Sequence, residues 1–144
     1  MVNVVCSKIL FLNFLYTFRQ KTDNDTEFLT IQKASNTCGT TVGRNRGREA
    51  SMKLDPDICN NTFQEFFHVL GLLHEHQRSD RDEYVAVQLQ NIPYNYDKEF
   101  RKLRRSFNLD LPYDGTSIQH FKTFELSVMN EQTITSKVSK IASC

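Results

Sequence analysis

The sequence predicts a single α+β domain, and three observations lead to this prediction. The chain has 144 residues and a net charge of +1, which is the usual size of one domain. Apolar and polar residues interleave over residues 64–73, a pattern typical of a helix with one buried face. Residues 28–31 and the start of residues 84–96 are rich in β-prone side chains, which predicts strands.

The composition excludes several classes of protein. Hydrophobic residues make up 39% and charged residues 24%, as in globular proteins with a modest core. No apolar run approaches the ~20 residues that a membrane helix needs. Because the charge is nearly balanced, we expect no nucleic-acid partner and no membrane partner. We also expect a monomer.

The chain divides into an apolar segment of unclear role, residues 1–17, and one domain, residues 18–144. In the apolar segment, Lys8 comes late and no small-residue cleavage site follows, whereas a signal peptide has charge first. A buried strand or helix is therefore favoured over a signal peptide. Residues 18–32 predict a turn followed by a strand, because polar turn-forming residues precede β-prone ones.

Two basic segments are interpreted as structural. Residues 37–52 are rich in glycine and arginine, and a solvated hairpin is favoured over a nucleic-acid loop because aromatic residues are lacking. Residues 84–96 begin as a strand that breaks at Pro93. Residues 97–107 predict a short helix whose basic cluster is a solvated face rather than a polyanion site.

Residues 64–82 contain the candidate functional residues. Gln64 and His68 lie four positions apart, on one face of the predicted helix, with Glu65 beside them. Gly71 can end that helix, because glycine adopts the left-handed conformation without steric cost. The chain can then bring His74 back toward the same face, which is the layout of a catalytic zinc site with an open fourth position.

The same residues, QEFFHVLGLLHEHQRSDRD, resemble the signature of the astacin family of metzincin zinc endopeptidases, HExxHxxGxxHExxRxDRD. The matching positions are Glu65, His68, Gly71, His74, Glu75, Arg78, Asp80, Arg81 and Asp82. The resemblance implies a metzincin-like α+β fold in which the zinc-site helix packs on a twisted mixed sheet, with N- and C-terminal elements incomplete. It also implies a zinc cofactor and a peptide or protein substrate.

By this resemblance, His68 and His74 are zinc ligands and Glu65 is the general base. The first zinc histidine of the family is replaced by Gln64, whose amide oxygen is a weaker ligand than imidazole. We therefore expect proteolytic activity to be lost or weak. Glu75, which meets the mature N-terminus in the family, is expected to have no obvious partner here.

A second segment, residues 112–121, resembles the family motif PYDYxSxMHY. The matching positions are Pro112, Tyr113, Asp114, Ser117 and His120. Gly115 replaces a tyrosine, Gln119 replaces the methionine below the metal, and Phe121 replaces a tyrosine that ligates zinc and stabilises the oxyanion. One oxyanion donor is typically worth ~10²–10³ in rate, so Phe121 also predicts weak catalysis.

The resemblance covers about residues 18–134 and implies a Cys38–Cys59 disulfide. Leu15 falls where the family has another cysteine, so its long-range disulfide is expected to be absent and not replaced by Cys6 and Cys144. An extracellular or secreted location is also implied, without a clear signal peptide. Two N-glycosylation sequons, residues 24–26 and 60–62, are informative only if the chain is secreted.

Three alternatives remain open: an active endopeptidase with a Gln64–His68–His74 site, a non-catalytic module that binds peptides or proteins, and a truncated product that folds poorly. His76 is not expected to substitute for the missing ligand. His120 is expected to be a hydrogen-bonded structural histidine.

Overall fold

The computed structural model describes residues 2–11, 14–44, 49–59, 61–104 and 111–138, with side chains from residue 18 onward. These residues form two compact units, which we call unit 1 (residues 1–72) and unit 2 (residues 73–144). No helix in the described part of the chain is long and apolar enough to cross a membrane.

Unit 1 is built on a five-stranded mixed sheet in the order β2-β1-β3-β5-β4. The strands are β1 (Val2–Phe11), β2 (Phe14–Gln20), β3 (Leu29–Lys33), β4 (Gly39–Thr40) and β5 (Ala50–Leu54). The β3–β5 pair is parallel and the other pairs are antiparallel. Of the buried strand or helix expected in the N-terminal segment, the structure shows strands, and the burial of their side chains before residue 18 lies outside the described residues. The strand expected over residues 28–31 is confirmed as β3. The β4–β5 pair confirms the hairpin, although residues 45–48 lie outside the described residues.

One α-helix, α1 (Thr62–Val69), completes unit 1. A disulfide joins Cys38 to Cys59, just before α1, with 5.4 Å between their Cα atoms. The predicted pairing is therefore confirmed. Among the sheet side chains that the structure describes, Leu29 and Met52 are the buried apolar ones. The expectation of a helix with one buried face is only partly met: His68 is its buried residue, and Leu73, the last residue of the interleaved run, is exposed. The side chains of Cys6 and Leu15, and all of Cys144, lie outside the described residues.

Unit 2 contains short elements. Its 3₁₀ helices are Glu75–Gln77, Arg81–Glu83, Leu89–Asn91 and Tyr94–Phe100. Two three-residue strands, β6 (Val85–Val87) and β7 (Ile134–Ser136), pair antiparallel. The core is the cluster Val85, Ile92, Phe100, Tyr113 and Ile134.

The helix predicted over residues 97–107 is wrong in type and extent. A 3₁₀ helix ends at Phe100, and Arg101 is extended, with φ −73° and ψ 138°. The chain leaves the helix because the amide of Leu103 donates a hydrogen bond to the carbonyl of Gln77 at 2.8 Å. Its described basic residues, which include Arg104, are exposed, so the solvated face is confirmed there. Residues 105–110 lie outside the described residues.

Candidate functional site

Helix α1 presents Gln64, Glu65 and His68 in unit 1. It ends where predicted: Gly71 has φ 93°, a conformation that favours glycine. The carbonyl of His68 accepts hydrogen bonds from the amides of Gly71 at 2.9 Å and Gly43 at 2.8 Å. Gly43 also has a positive φ, 68°. These two glycines therefore hold the helix end that positions His68.

The ring of His68 is oriented by a backbone carbonyl four residues further along the chain. Its Nδ1 donates a hydrogen bond to the carbonyl of Leu72 at 2.7 Å, because a carbonyl can only accept. This assigns the proton to Nδ1 and leaves Nε2 with the lone pair that a metal requires. The residue is buried, with 7% of its surface exposed. Zinc-binding histidines commonly use their second nitrogen in this way.

Glu65 lies beside the disulfide. Its Oε1 is 3.8 Å from Cys38 Sγ, a van der Waals contact because a disulfide sulfur carries no hydrogen to donate. Its buried Oε2 accepts no hydrogen bond from the described residues. Burial raises the pKa of Glu65, and the charge of His68 opposes part of that rise. A carboxyl with a raised pKa suits a general base, which works best when its pKa is near the operating pH.

His74, in unit 2, is held in the same manner as His68. Its Nδ1 donates to the carbonyl of Gln119 at 3.2 Å, and the amide of Glu75 donates to that carbonyl at 3.1 Å. Gln119 therefore supports His74 through its backbone, whatever side chain it carries. The lone pair of His74 is accordingly on Nε2.

Phe121 packs among the histidines of unit 2. Its ring stacks on His76, with centroids 4.0 Å apart, and contacts His74 at 4.8 Å. His76 is fully buried, and its Nε2 donates to the carbonyl of Glu99 at 3.0 Å. Burial lowers the pKa of His76 to about 3, so its imidazole is neutral. His76 is thus a buried residue of unit 2, and its Nδ1 has no hydrogen-bond partner among the described residues. The expectation that it does not replace the missing ligand stays a prediction.

His120 is hydrogen-bonded through both nitrogens, which agrees with its expected structural role. Nδ1 donates to the carbonyl of Phe121 at 2.6 Å, so Nε2 accepts from the Tyr113 hydroxyl at 2.6 Å. Tyr113 in turn stacks on Tyr84, with centroids 4.7 Å apart. Burial lowers the pKa of His120 and raises that of Tyr113, which keeps both groups neutral.

Glu75 has partners, which corrects the expectation that it lacks them. Its Oε1 accepts from Arg78 Nη1 and from the amide of Asp114, each at 2.9 Å. Arg78 also donates to both carboxylate oxygens of Asp80 and to the carbonyls of Leu111 and Pro112. All five guanidinium N–H groups are therefore used. In the sequence, the charged residues 78–82 indicate that Glu75 has ionic partners nearby. They do not indicate the backbone groups that Glu75 and Arg78 also contact.

The donor set is the weak part of the candidate site. The described residues contain no group of three or more His, Cys, Asp or Glu side chains that could hold a metal ion. Two oriented histidines, His68 and His74, are present. The third predicted position holds Gln64, a neutral amide.

Comparisons with known proteins place the chain. Residues 13–144 match the family model for astacin, which describes a peptidase family. The chain belongs to the astacin family. It is 34% identical to embryonic protein UVS.2 of Xenopus laevis over 116 residues, 78% of this chain and 22% of that protein. It is 37% identical to the astacin-like metalloendopeptidase of Coturnix japonica over 112 residues, 76% of this chain and 26% of that protein.

A solved structure supports the astacin-like α+β fold. High choriolytic enzyme 1 of Oryzias latipes, a hatching enzyme zinc-protease, is similar with a TM-score of 0.75 and 29% identity, covering 83% of this chain and 60% of that one. The chain spans about a quarter of the length of the curated relatives above. The predicted family and fold class are thus confirmed for this astacin domain.

Proposed function

We propose that this chain is an astacin-like zinc endopeptidase domain in which hydrolysis of peptide bonds is lost or weak. In this proposal His68 and His74 are the remaining zinc ligands, Gln64 occupies the vacated ligand position, and Glu65 is the general base. Residues 18–144 form the peptidase-like domain and residues 1–17 precede it. The substrate is a peptide or protein, the chain is a monomer, and its location is extracellular.

One observation carries the proposal: two histidines are prepared for a metal while the third donor is an amide. The Nδ1 atoms of His68 and His74 donate to backbone carbonyls, which is the support that zinc-binding histidines commonly have. Both rings have this support at positions of the family signature, although a backbone carbonyl also orients the structural His120. The two rings therefore favour a family site that has lost one ligand.

The donors present do not fit a tightly bound catalytic zinc. Such zinc sites use three protein ligands drawn from His, Cys, Asp and Glu. The amide oxygen of Gln64 is neutral and a poor match for a borderline-soft ion. Changing even the partners of metal ligands costs ~10–100-fold in affinity or activity, so replacing a ligand itself should cost more. Hydrolysis that depends on this zinc is expected to fall accordingly.

The ring of Phe121 points to the same conclusion. It packs on His76 and His74 and carries no hydroxyl, so it offers neither a ligand nor a hydrogen bond to a developing oxyanion. A lost oxyanion donor typically lowers the rate ~10²–10³-fold. Two defects at motif positions therefore favour weak catalysis over an active Gln64–His68–His74 enzyme.

Restoring the ligand tests the proposal. Zinc affinity would be measured by competition with a chelating dye for the natural chain and for Gln64→His. We expect Gln64→His to bind one zinc ion at least ~10–100-fold more tightly. Gln90→His is the matched control, because it adds a histidine at an exposed position of unit 2. His68→Ala in the Gln64→His background should abolish the gain.

Peptidase assays complete the test. Cleavage of a mixed peptide library should be near background for the natural chain, higher for Gln64→His, and higher again for Gln64→His with Phe121→Tyr. A natural chain that binds zinc as tightly as Gln64→His and cleaves peptides would refute the proposal in favour of an active enzyme. Peptide retention that ignores zinc and Glu65→Gln would favour the non-catalytic module instead.

A further inference from the structure

The turn after β2 exposes an asparagine in a well-ordered hydrogen-bonded frame. The amide of Asp25 donates to the carbonyl of Thr22 at 3.2 Å, which closes a four-residue turn. The amide and hydroxyl of Thr22 each donate to Asp25 Oδ2 at 2.8 Å. Arg19 donates to both carboxylate oxygens of Asp25. Asn24 is the third residue of this turn.

The side chains of the first sequon are available to solvent. Asn24 and Thr26 are both exposed. Within the described part of the chain, the carboxamide of Asn24 makes no hydrogen bond, because the frame is built by its neighbours Thr22, Asp25 and Arg19. The middle residue, Asp25, is not proline, so the triplet satisfies the acceptor pattern Asn-X-Ser/Thr.

We propose that Asn24 is an N-glycosylation site. The acceptor needs a carboxamide that stays in solvent after folding, because the attached oligosaccharide is bulky and hydrophilic. In the transfer, the amide nitrogen of Asn24 forms a bond to C1 of the sugar and loses a proton. The bond between C1 and the pyrophosphate oxygen of a lipid-linked oligosaccharide donor breaks, and the lipid pyrophosphate leaves with the electron pair.

The position of the turn gives the glycan a physical consequence. Strand β2 ends at Gln20 and is a terminal strand of the sheet. No second described strand pairs with its outer side, and such an unpaired edge favours pairing with other chains. A glycan on Asn24, four residues beyond β2, adds a hydrated group beside that edge and reduces such pairing.

The second sequon provides an internal comparison. Asn60 lies outside the described residues, between Cys59 of the disulfide and Thr62, the first residue of α1. Thr62 is exposed in the first turn of α1, and Thr26 of the first sequon is exposed in a bend. The proposed glycan lies on Asn24, whose own position the structure describes.

The test uses secretion of the full chain from animal cells behind a heterologous signal peptide. This removes dependence on the extracellular location in the proposed function, and neither zinc binding nor peptidase activity enters the readout. Digestion with peptide N-glycosidase F should increase gel mobility, and peptide mass spectrometry should find aspartate at position 24 afterwards. Asn24→Gln and Thr26→Ala should remove the shift, while Asn60→Gln should retain it.

The outcomes are separable. A natural chain that shows no mobility shift, or a shift that persists in Asn24→Gln, overturns the inference. Because Asn24→Gln alters an exposed amide that makes no described hydrogen bond, its circular dichroism should match that of the natural chain, which excludes misfolding as the cause of a lost glycan.

Discussion

Unit 1 and unit 2 satisfy their buried backbone groups in different ways. In unit 1, a five-stranded ladder pairs strand with strand, and glycines at positions 43 and 71 allow the chain to turn. In unit 2, the strands have three residues each, and buried cationic side chains complete the bonding. Arg81 donates to the carbonyls of His76 and Phe100, and Arg78 donates to those of Leu111 and Pro112.

Because of this difference, the two units are sensitive to different substitutions. A strand ladder depends on backbone conformation and tolerates many side chains. A buried guanidinium depends on one side chain, since its removal leaves several acceptors unpaired at once. The following substitutions therefore separate the two units.

The largest effect is expected for Arg78→Ala in unit 2. Arg78 is 8% exposed and bonds to Glu75 and Asp80, so its loss should lower the free energy of unfolding by about 3–5 kcal/mol. Urea unfolding followed by circular dichroism measures this, and hydrogen exchange should show the loss of protection within residues 73–104. Arg78→Lys should recover only part, because lysine cannot form the bidentate contact.

Arg101→Ala is the matched control for that prediction. Arg101 forms an ion pair with Asp97, but its side chain is 71% exposed, so little change in stability is expected. Equal destabilisation by the two substitutions would show that burial of the guanidinium is not what stabilises unit 2.

A smaller effect is expected for Gly71→Ala in unit 1. A Cβ at Gly71 would lie 3.7 Å from Gly43 Cα, an ordinary contact, so crowding is not the cost. The destabilisation comes from the φ of 93°, which alanine adopts only with strain. The free energy of unfolding should therefore fall by about 1–2 kcal/mol. Gly39→Ala is the control, because a Cβ there meets nothing within 4 Å. No difference between the two variants would contradict this account.

The sequence predicted those features that side-chain identity determines. Gly71 ends α1 because few other residues adopt its φ, and Cys38 and Cys59 form the implied disulfide. The family signature also led to His68 and His74. The role of Gly71 follows from its own chemistry, whereas the disulfide pairing and the two histidines came from the resemblance to the family.

Other features depend on backbone groups that every residue shares. The orientation of His68 comes from the carbonyl of Leu72, and the partner of Glu75 includes the amide of Asp114. No pattern of side chains in the sequence predicts either contact. The prediction of a helix over residues 97–107 was wrong for the same reason, because the amide of Leu103 forms a hydrogen bond with the carbonyl of Gln77 instead of continuing the helix.

The smallest effect is the acid sensitivity of unit 2. A hydrogen bond from Arg78 holds the pKa of Asp80 below its usual range. Because the folded pKa is the lower one, the stabilisation is complete above the unfolded pKa of ~3.9 and is lost as the pH falls through the folded value. Asp80→Asn should therefore cost about 0.5–1 kcal/mol at pH 6, and the difference from the natural chain should shrink as the pH falls below about 4.

Glu83→Gln is the control for acid sensitivity, since Glu83 is an exposed carboxylate of the same unit. Urea unfolding of the three proteins across this pH range measures the effect. If the gap between the natural chain and Asp80→Asn were constant with pH, the loss would come from geometry alone. A gap that closes in acid attributes the loss to the charge of Asp80 in its ion pair with the buried Arg78 of unit 2.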